Sequence, residues 1–188
     1  MKQRFFIDID NTMIDTIDAF CSVYNKLYCN HPNFKTAQSD LVNVYNFSDQ
    51  CPLVKNVLEI FEHELFFKFA QPINNNTYEI LEKLTDKFQL TPCSIGTPKN
   101  VAHKAHYLEK NFPFIKDYVL ITNQGCQMNK GIVNMEGAIF LDDIPSNLLS
   151  SNCNEEDKYL FGKIYPWNCE GWNGKWVRDW SEVGEMLL

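Results

Sequence analysis

Arg4-Phe5-Phe6-Ile7-Asp8-Ile9-Asp10-Asn11-Thr12 decides the reading of this chain. An apolar run closes on two carboxylates placed two positions apart. Ionised carboxylates are heavily penalised in an apolar interior, so these acids mark where a buried strand ends. Side chains at i and i+2 of a strand point to the same side, and Asp8 and Asp10 are therefore expected to converge. Convergent carboxylates at a strand's carboxyl end suit magnesium, a hard cation that takes oxygen ligands. A second acidic pair, Asp142-Asp143, closes another apolar run, Ala138-Ile139-Phe140-Leu141. Two acid-tipped strands, far apart in sequence, read as a divalent-metal site for phosphate chemistry.

Working outward, residues 4–9 read as a buried strand, and a helix opens at Asp15 or Thr16 with Ile17, Phe20, Cys21, Tyr24 and Leu27 at near-helical spacing. The polar stretch from His31 to Asp49 reads as loop and short helix. Pro52 is expected to open a helix with Leu53, Val57, Leu58, Phe61 and Leu65 on one face. A further helix is expected over Tyr78 to Phe88, then a strand from Gln89 to Ile95 ending at Gly96-Thr97-Pro98. A helix to Asn111, the strand Tyr118 to Thr122, the Ala138–Leu141 strand, a strand from Tyr159 to Tyr165 and a short helix capped by Asp179 or Ser181 complete the series. Strands alternating with helices predict a doubly wound parallel sheet covered on both faces. The helical stretch 15–74 interrupts that rhythm after the first strand. It is expected to form a small cap inserted into an α/β core made of 1–14 and 75–188.

Composition narrows the function. The 188 residues are 45% hydrophobic, so the chain is globular. A net charge of −7 argues against binding polymeric nucleic acid, which needs a basic surface, but leaves small anionic substrates open because a bound cation reverses the local field. Seven cysteines without a C-x-x-C pair suggest reduced thiols in a cytoplasmic compartment. The chain turns acidic at Asp8, too early for a signal peptide's apolar stretch, and no run approaches membrane-spanning length. Monomer and homodimer both stay open.

Ligands of open α/β sheets bind at the carboxyl ends of the strands. Suitable groups there are Asp8 and Asp10, Gly96 and Thr97, Thr122 and Asn123 with Lys130 shortly after, and Asp142 and Asp143. Phosphoryl transfer needs a nucleophile, a proton donor, a metal and donors for the phosphoryl oxygens. Asp8 suits the first role and Asp10 the second. Thr97 and Lys130 can hold the transferred oxygens, while Asp8, Asp142 and the Asp10 carbonyl can hold magnesium.

Asp8-Ile9-Asp10-Asn11-Thr12 resembles the first motif of haloacid-dehalogenase-type (HAD) phosphatases. Gly96-Thr97-Pro98 resembles their second motif, the loop around Lys130 the third, and Leu141-Asp142-Asp143 the fourth. More narrowly, the chain is similar to the 5′(3′)-deoxyribonucleotidase branch. There an early helical cap, an aromatic pair before a proline (here Phe66-Phe67 and Pro72) and a Trp-bearing tail (here Trp176 to Trp180) recur. The resemblance implies a Rossmann-type core and a magnesium-dependent phosphomonoesterase acting through an aspartyl-phosphate on a deoxyribonucleoside monophosphate. It also implies substrate contacts at Gly96, Thr97, Lys130, Phe66, Phe67 and Thr16, the last standing where the branch places a base-stacking aromatic. A phosphatase for another small ester and a catalytically silent binding module are the competing readings. His103 and His106 lack a third zinc ligand and read as ordinary helix residues. The four tryptophans read as closure of a sheet edge.

Overall fold

The structure, a computed structural model, describes residues 2–122, 129–168 and 171–188. Six strands, all parallel, lie in the order β3-β2-β1-β4-β5-β6. They are β1 (Gln3–Ile7), β2 (Phe88–Gly96), β3 (Val119–Thr122), β4 (Ile139–Asp142), β5 (Lys158–Phe161) and β6 (Lys175–Val177). Seven α-helices accompany them among the described residues: α1 (Thr16–Tyr28), α2 (Val57–Phe61), α3 (Phe66–Phe69), α4 (Thr77–Leu84), α5 (Pro98–Asn111), α6 (Pro145–Ser150) and α7 (Trp180–Leu187). No described helix is long and apolar enough to cross a membrane.

The apolar strand runs are buried on both faces, as doubly wound sheets require. Phe5 and Ile7 of β1, Ile139 and Leu141 of β4, and Tyr159 and Phe161 of β5 join one hydrophobic cluster with α1 and Trp180. Their alternate neighbours Phe6, Phe140 and Leu160 join a second cluster with Met135, Leu148 and Cys153. The period of two thus divides each strand between two cores. β1 is central, with Phe5 facing Leu90 of β2 on one side and Ile139 of β4 on the other. The chain winds from β1 to β3 in one direction and from β4 to β6 in the other, so the switch point lies between β1 and β4, where such sheets bind ligands. Pro92 sits inside β2 without breaking it. The β1 ladder runs to Pro92 and the β3 ladder starts at Cys93, so Pro92 stands where one pairing hands over to the other.

Several sequence expectations are corrected. Pro52 opens a turn, and α2 begins only at Val57, because the Asn56 side chain accepts a hydrogen bond from the Leu58 amide and supplies the cap. Leu65 initiates a separate helix, α3. The helix expected to reach Phe88 ends at Leu84, and Phe88 already belongs to β2. The strand expected to reach Tyr165 stops at Phe161, because Gly162 turns the chain at φ +91°. Helix α6 and edge strand β6 are additions that short, mixed sequences did not announce.

Between α1 and α4 no strand joins the sheet. Residues 13–15 and 71–73 run side by side instead, with the Asp15 amide donating to the Gln71 carbonyl (2.9 Å) and the Ile73 amide to the Met13 carbonyl (3.0 Å). Trp180 is wholly buried and donates through Nε1 to the Thr12 carbonyl (2.7 Å), tying α7 to the loop that follows β1.

Candidate active site

Asp8 follows β1 directly, its amide donating to the Leu141 carbonyl of β4 (2.8 Å). That bond fixes the first acid beside the second acid-tipped strand. Lys130, in a short 3₁₀ turn over Lys130–Ile132, reaches in with its side chain 1% exposed. It donates to Asp8 Oδ1 and, at 2.5 Å, to Asp142 Oδ2. The other oxygen of Asp142 accepts from the Ile144 amide (2.9 Å) and Asn147 Nδ2 (3.0 Å), so α6 holds this carboxylate in place. Asp143 is buried and accepts from Asn11 Nδ2 at 3.3 Å. Asn11 lies in the left-handed region at φ +50°, a conformation that Gly or Asn adopts most readily.

Asp8, Asp142 and Asp143 bring one carboxylate oxygen each within 4.8 Å of one another. Three carboxyls against one ammonium would carry excess negative charge if all were ionised, and burial turns that excess into proton uptake. Burial accordingly raises Asp8 to about 7, with Lys130 pulling down and Asp142 and Asp10 pushing up. Asp143 is raised well above the carboxylate range, first by burial and then by Asp8 and Asp142. Burial lowers Lys130, but Asp142 and Asp8 outweigh it and the net shift is upward. A hard divalent cation satisfies this donor set, since oxygen ligands and surplus negative charge are what it takes. Asp143 belongs to that set, although the sequence singled out Asp8, Asp10 and Asp142.

The Asp10 carboxylate is not among the three clustered acids, although it lies within electrostatic reach of Asp8. Strand β1 ends at Ile7, and the Thr12 and Met13 amides fold back to the Ile9 carbonyl, so the i, i+2 rule no longer applies at Asp10. Its Oδ2 accepts from buried Lys104 and from Ser94 Oγ (3.2 Å), and its Oδ1 from Thr16 Oγ1 (3.1 Å). Two residues that sequence reading did not assign, Lys104 and Ser94, therefore hold Asp10. An inward lysine between His103 and Tyr107 on an amphipathic helix was the available signal.

Of the expected substrate contacts, Gly96 ends β2 and Thr97 caps α5 by accepting from the Asn100 amide (3.3 Å), leaving its hydroxyl proton free for another acceptor. Thr16 is 3% exposed and committed to Asp10 and the Asn11 amide, so it offers no surface to a base. Phe66 is fully buried and packs against Phe61, because the short helix α3 needs an apolar anchor. Phe67 meets Tyr107 and lines a separate groove with His103 and Phe112. The pocket beside the acids, about 190 Å³, is lined instead by Asn11, Ile73, Asp143, Phe161, Tyr165 and Arg178, among others. Tyr165 stacks on Trp167 at 4.3 Å, and Tyr45 meets Trp167 edge-on at 6.3 Å. Asn123 lies outside the described residues.

The fold is that of the HAD-type phosphatases. It resembles a predicted phosphatase from Clostridium acetobutylicum (TM-score 0.69, 13% identity, 99% of this chain and 98% of that one). A HAD-superfamily hydrolase of subfamily IA from Geobacter sulfurreducens gives 0.62 at 11% identity, covering 100% and 97%. YfnB from Bacillus subtilis, bound to magnesium, gives 0.60 at 13%, covering 100% and 99%. No curated protein matches the sequence. Over residues 2–188 the chain belongs to the family described as 5′ nucleotidase, deoxy (Pyrimidine), cytosolic type C protein.

Proposed function

We propose that this phosphatase hydrolyses deoxyribonucleoside monophosphates with magnesium as cofactor. The observation that carries the reading is the buried cluster of Asp8, Lys130, Asp142 and Asp143 at the switch point of the sheet. In this reading an Asp8 oxygen attacks phosphorus, forming an aspartyl-phosphate as the ester oxygen leaves. Asp10 gives that oxygen a proton, then takes one from the water that cleaves the aspartyl-phosphate. Inorganic phosphate departs and Asp8 is restored. Lys130 and the Thr97 hydroxyl supply donors for the phosphoryl oxygens. Asp8, Asp142, Asp143 and the Asp10 carbonyl would hold magnesium, which would supply positive charge against the phosphate.

Residues 15–74 act as a cap over the core of 1–14 and 75–188, and the paired segments 13–15 and 71–73 are its stem. Such a cap admits a small ester and excludes a phosphate embedded in a polymer. Two points favour a nucleotide: the deoxynucleotidase description of the family, and the aromatic cluster of Tyr165, Trp167 and Tyr45, of which Tyr165 lines the pocket with Asp143. The five described cysteines are free, in keeping with a cytoplasmic setting. The modest size of the pocket favours, as a second reading, a more compact phosphate ester. Phosphate release across deoxyribonucleotides, ribonucleotides and sugar phosphates, with magnesium or with chelator, separates the two. Sugar phosphates turned over faster than nucleotides remove the nucleotidase assignment, and full activity in chelator removes the metal.

A further inference from the structure

We infer that Lys104 is the positioning residue of the acid/base, holding the Asp10 carboxylate in its working orientation; the inference rests on the proposed role of Asp10. Lysine is almost never fully buried unless paired, yet Lys104 on α5 is 2% exposed. Its ammonium has three N–H donors and meets three acceptors: Asp10 Oδ2, Ser94 Oγ (2.8 Å) and the Ile95 carbonyl (3.1 Å). None of these is Asp8, Asp142 or Asp143. Ser94 also donates to the same Asp10 oxygen, and Thr16 holds the other. Each Asp10 oxygen is thereby anchored, and each retains acceptor capacity for a proton in transit.

The anchors come from three elements, α1, β2 and α5, and two of them, Ser94 on β2 and Lys104 on α5, lie more than 80 residues beyond Asp10. The Asp10 side chain is 26% exposed and has left the strand, so nothing in its own backbone fixes its direction. Without the ammonium only the neutral hydroxyls of Ser94 and Thr16 restrain the carboxylate, and it gains freedom to turn toward solvent or toward the metal cluster. The chemical step would then lose the correctly placed proton donor while substrate binding, which depends on other groups, is retained.

The test compares Lys104→Met, Lys104→Arg, Ser94→Ala and Asp10→Asn on an alkyl phosphate ester, which needs its leaving oxygen protonated, and on p-nitrophenyl phosphate, which scarcely does. Lys104→Met is expected to lower kcat on the alkyl ester about 100-fold, within the range of general acid–base catalysis, with a far smaller loss on p-nitrophenyl phosphate and little change in KM. Lys104→Arg should recover part of the loss, and Ser94→Ala should show the same imbalance more weakly. A merely structural lysine would lower both substrates alike through the fraction of folded enzyme, and that outcome overturns the inference. If Lys104→Met fails to fold, Ser94→Ala carries the comparison, and equal loss on both esters is again decisive against it. Imbalance in Asp10→Asn without imbalance in the Lys104 and Ser94 variants removes this inference and leaves the acid/base reading standing. No imbalance in Asp10→Asn removes the acid/base reading and the inference with it.

Discussion

Two buried lysines divide the site. Lys130 lies between Asp8 and Asp142, with Asp143 near, in a cluster where acids outnumber bases. Lys104 serves a single carboxylate, Asp10, with its other donors satisfied by neutral oxygens. The first ammonium leaves surplus negative charge and room for a cation. The second balances its acid one to one. Two carboxylates separated by one residue are thus placed in different electrostatic settings, a way to give neighbouring acids different chemical roles.

The largest effect should come from the charge-surplus half. Asp8→Asn is expected to cost at least about 10⁴-fold in turnover, measured on purified protein shown to be folded by circular dichroism. Residual activity above a few per cent would remove the covalent role. Lys130→Met follows. Breaking a buried ion pair costs about 3–5 kcal/mol, and turnover on good and poor leaving groups should fall together, unlike the uneven loss expected at Lys104. An uneven loss at Lys130 would erase the contrast between the two lysines.

Asp10→Asn should lower turnover of alkyl esters about 100- to 1,000-fold with substrate affinity maintained, which equilibrium binding of a nucleotide can check. Loss of binding instead would mean that Asp10 belongs to the metal half.

A smaller effect concerns stability and pH. Asp8 is raised to about 7 and Asp143 is also raised. The folded state therefore holds more protons than the unfolded one between about pH 4 and 7, and stability declines as pH rises through that window. In chelator, melting temperature should be higher at pH 5.5 than at pH 8. Magnesium should recover about 1 kcal/mol or more at pH 8, roughly 2–4 °C, and far less at pH 5.5. The slope should shrink in Asp8→Asn, and an unchanged slope would assign it to other groups. The smallest effect is Trp167→Ala, which should raise KM for nucleotides about two- to tenfold, the scale of one aromatic contact, and leave sugar phosphates alone. An equal change for both would detach the aromatic surface from base recognition.

The α/β class and the acid-tipped strands were legible because they depend on local pattern: Phe5, Phe6 and Ile7 fill the sheet's cores, and a carboxylate at the end of such a run, such as the buried Asp8, needs a partner that an apolar core does not supply. Lys130 was legible through resemblance. Lys104 was not, since a lone lysine on a helix ordinarily faces solvent and its partner lies 94 residues away in sequence. Asp10 stays within electrostatic reach of Asp8 but is held by Lys104, Ser94 and Thr16 rather than joining the acid cluster, because β1 ends at Ile7 and the chain turns there. Phe66 and Phe67 were assigned to the substrate by resemblance, yet Phe66 anchors the short helix α3 and Phe67 lines a groove apart from the acids. Edge strand β6 spans only Lys175–Val177, too short for periodicity to register.

The placement of β1 also governs the order in which the protein can assemble. Its partners start 85 residues away on one side, where Gln3 faces Phe88, and 134 residues away on the other, where Phe5 faces Ile139. Such distant pairing is slow, because loop closure precedes any reward from contact. A nascent chain that has not yet reached β4 carries one flank of β1 unpaired, an apolar edge of the kind that invites association with other chains. The insertion of β4 closes that edge and, in the same event, delivers Asp142 and Asp143 to Asp8. The proposed site and the protection from aggregation are thus completed by the same strand.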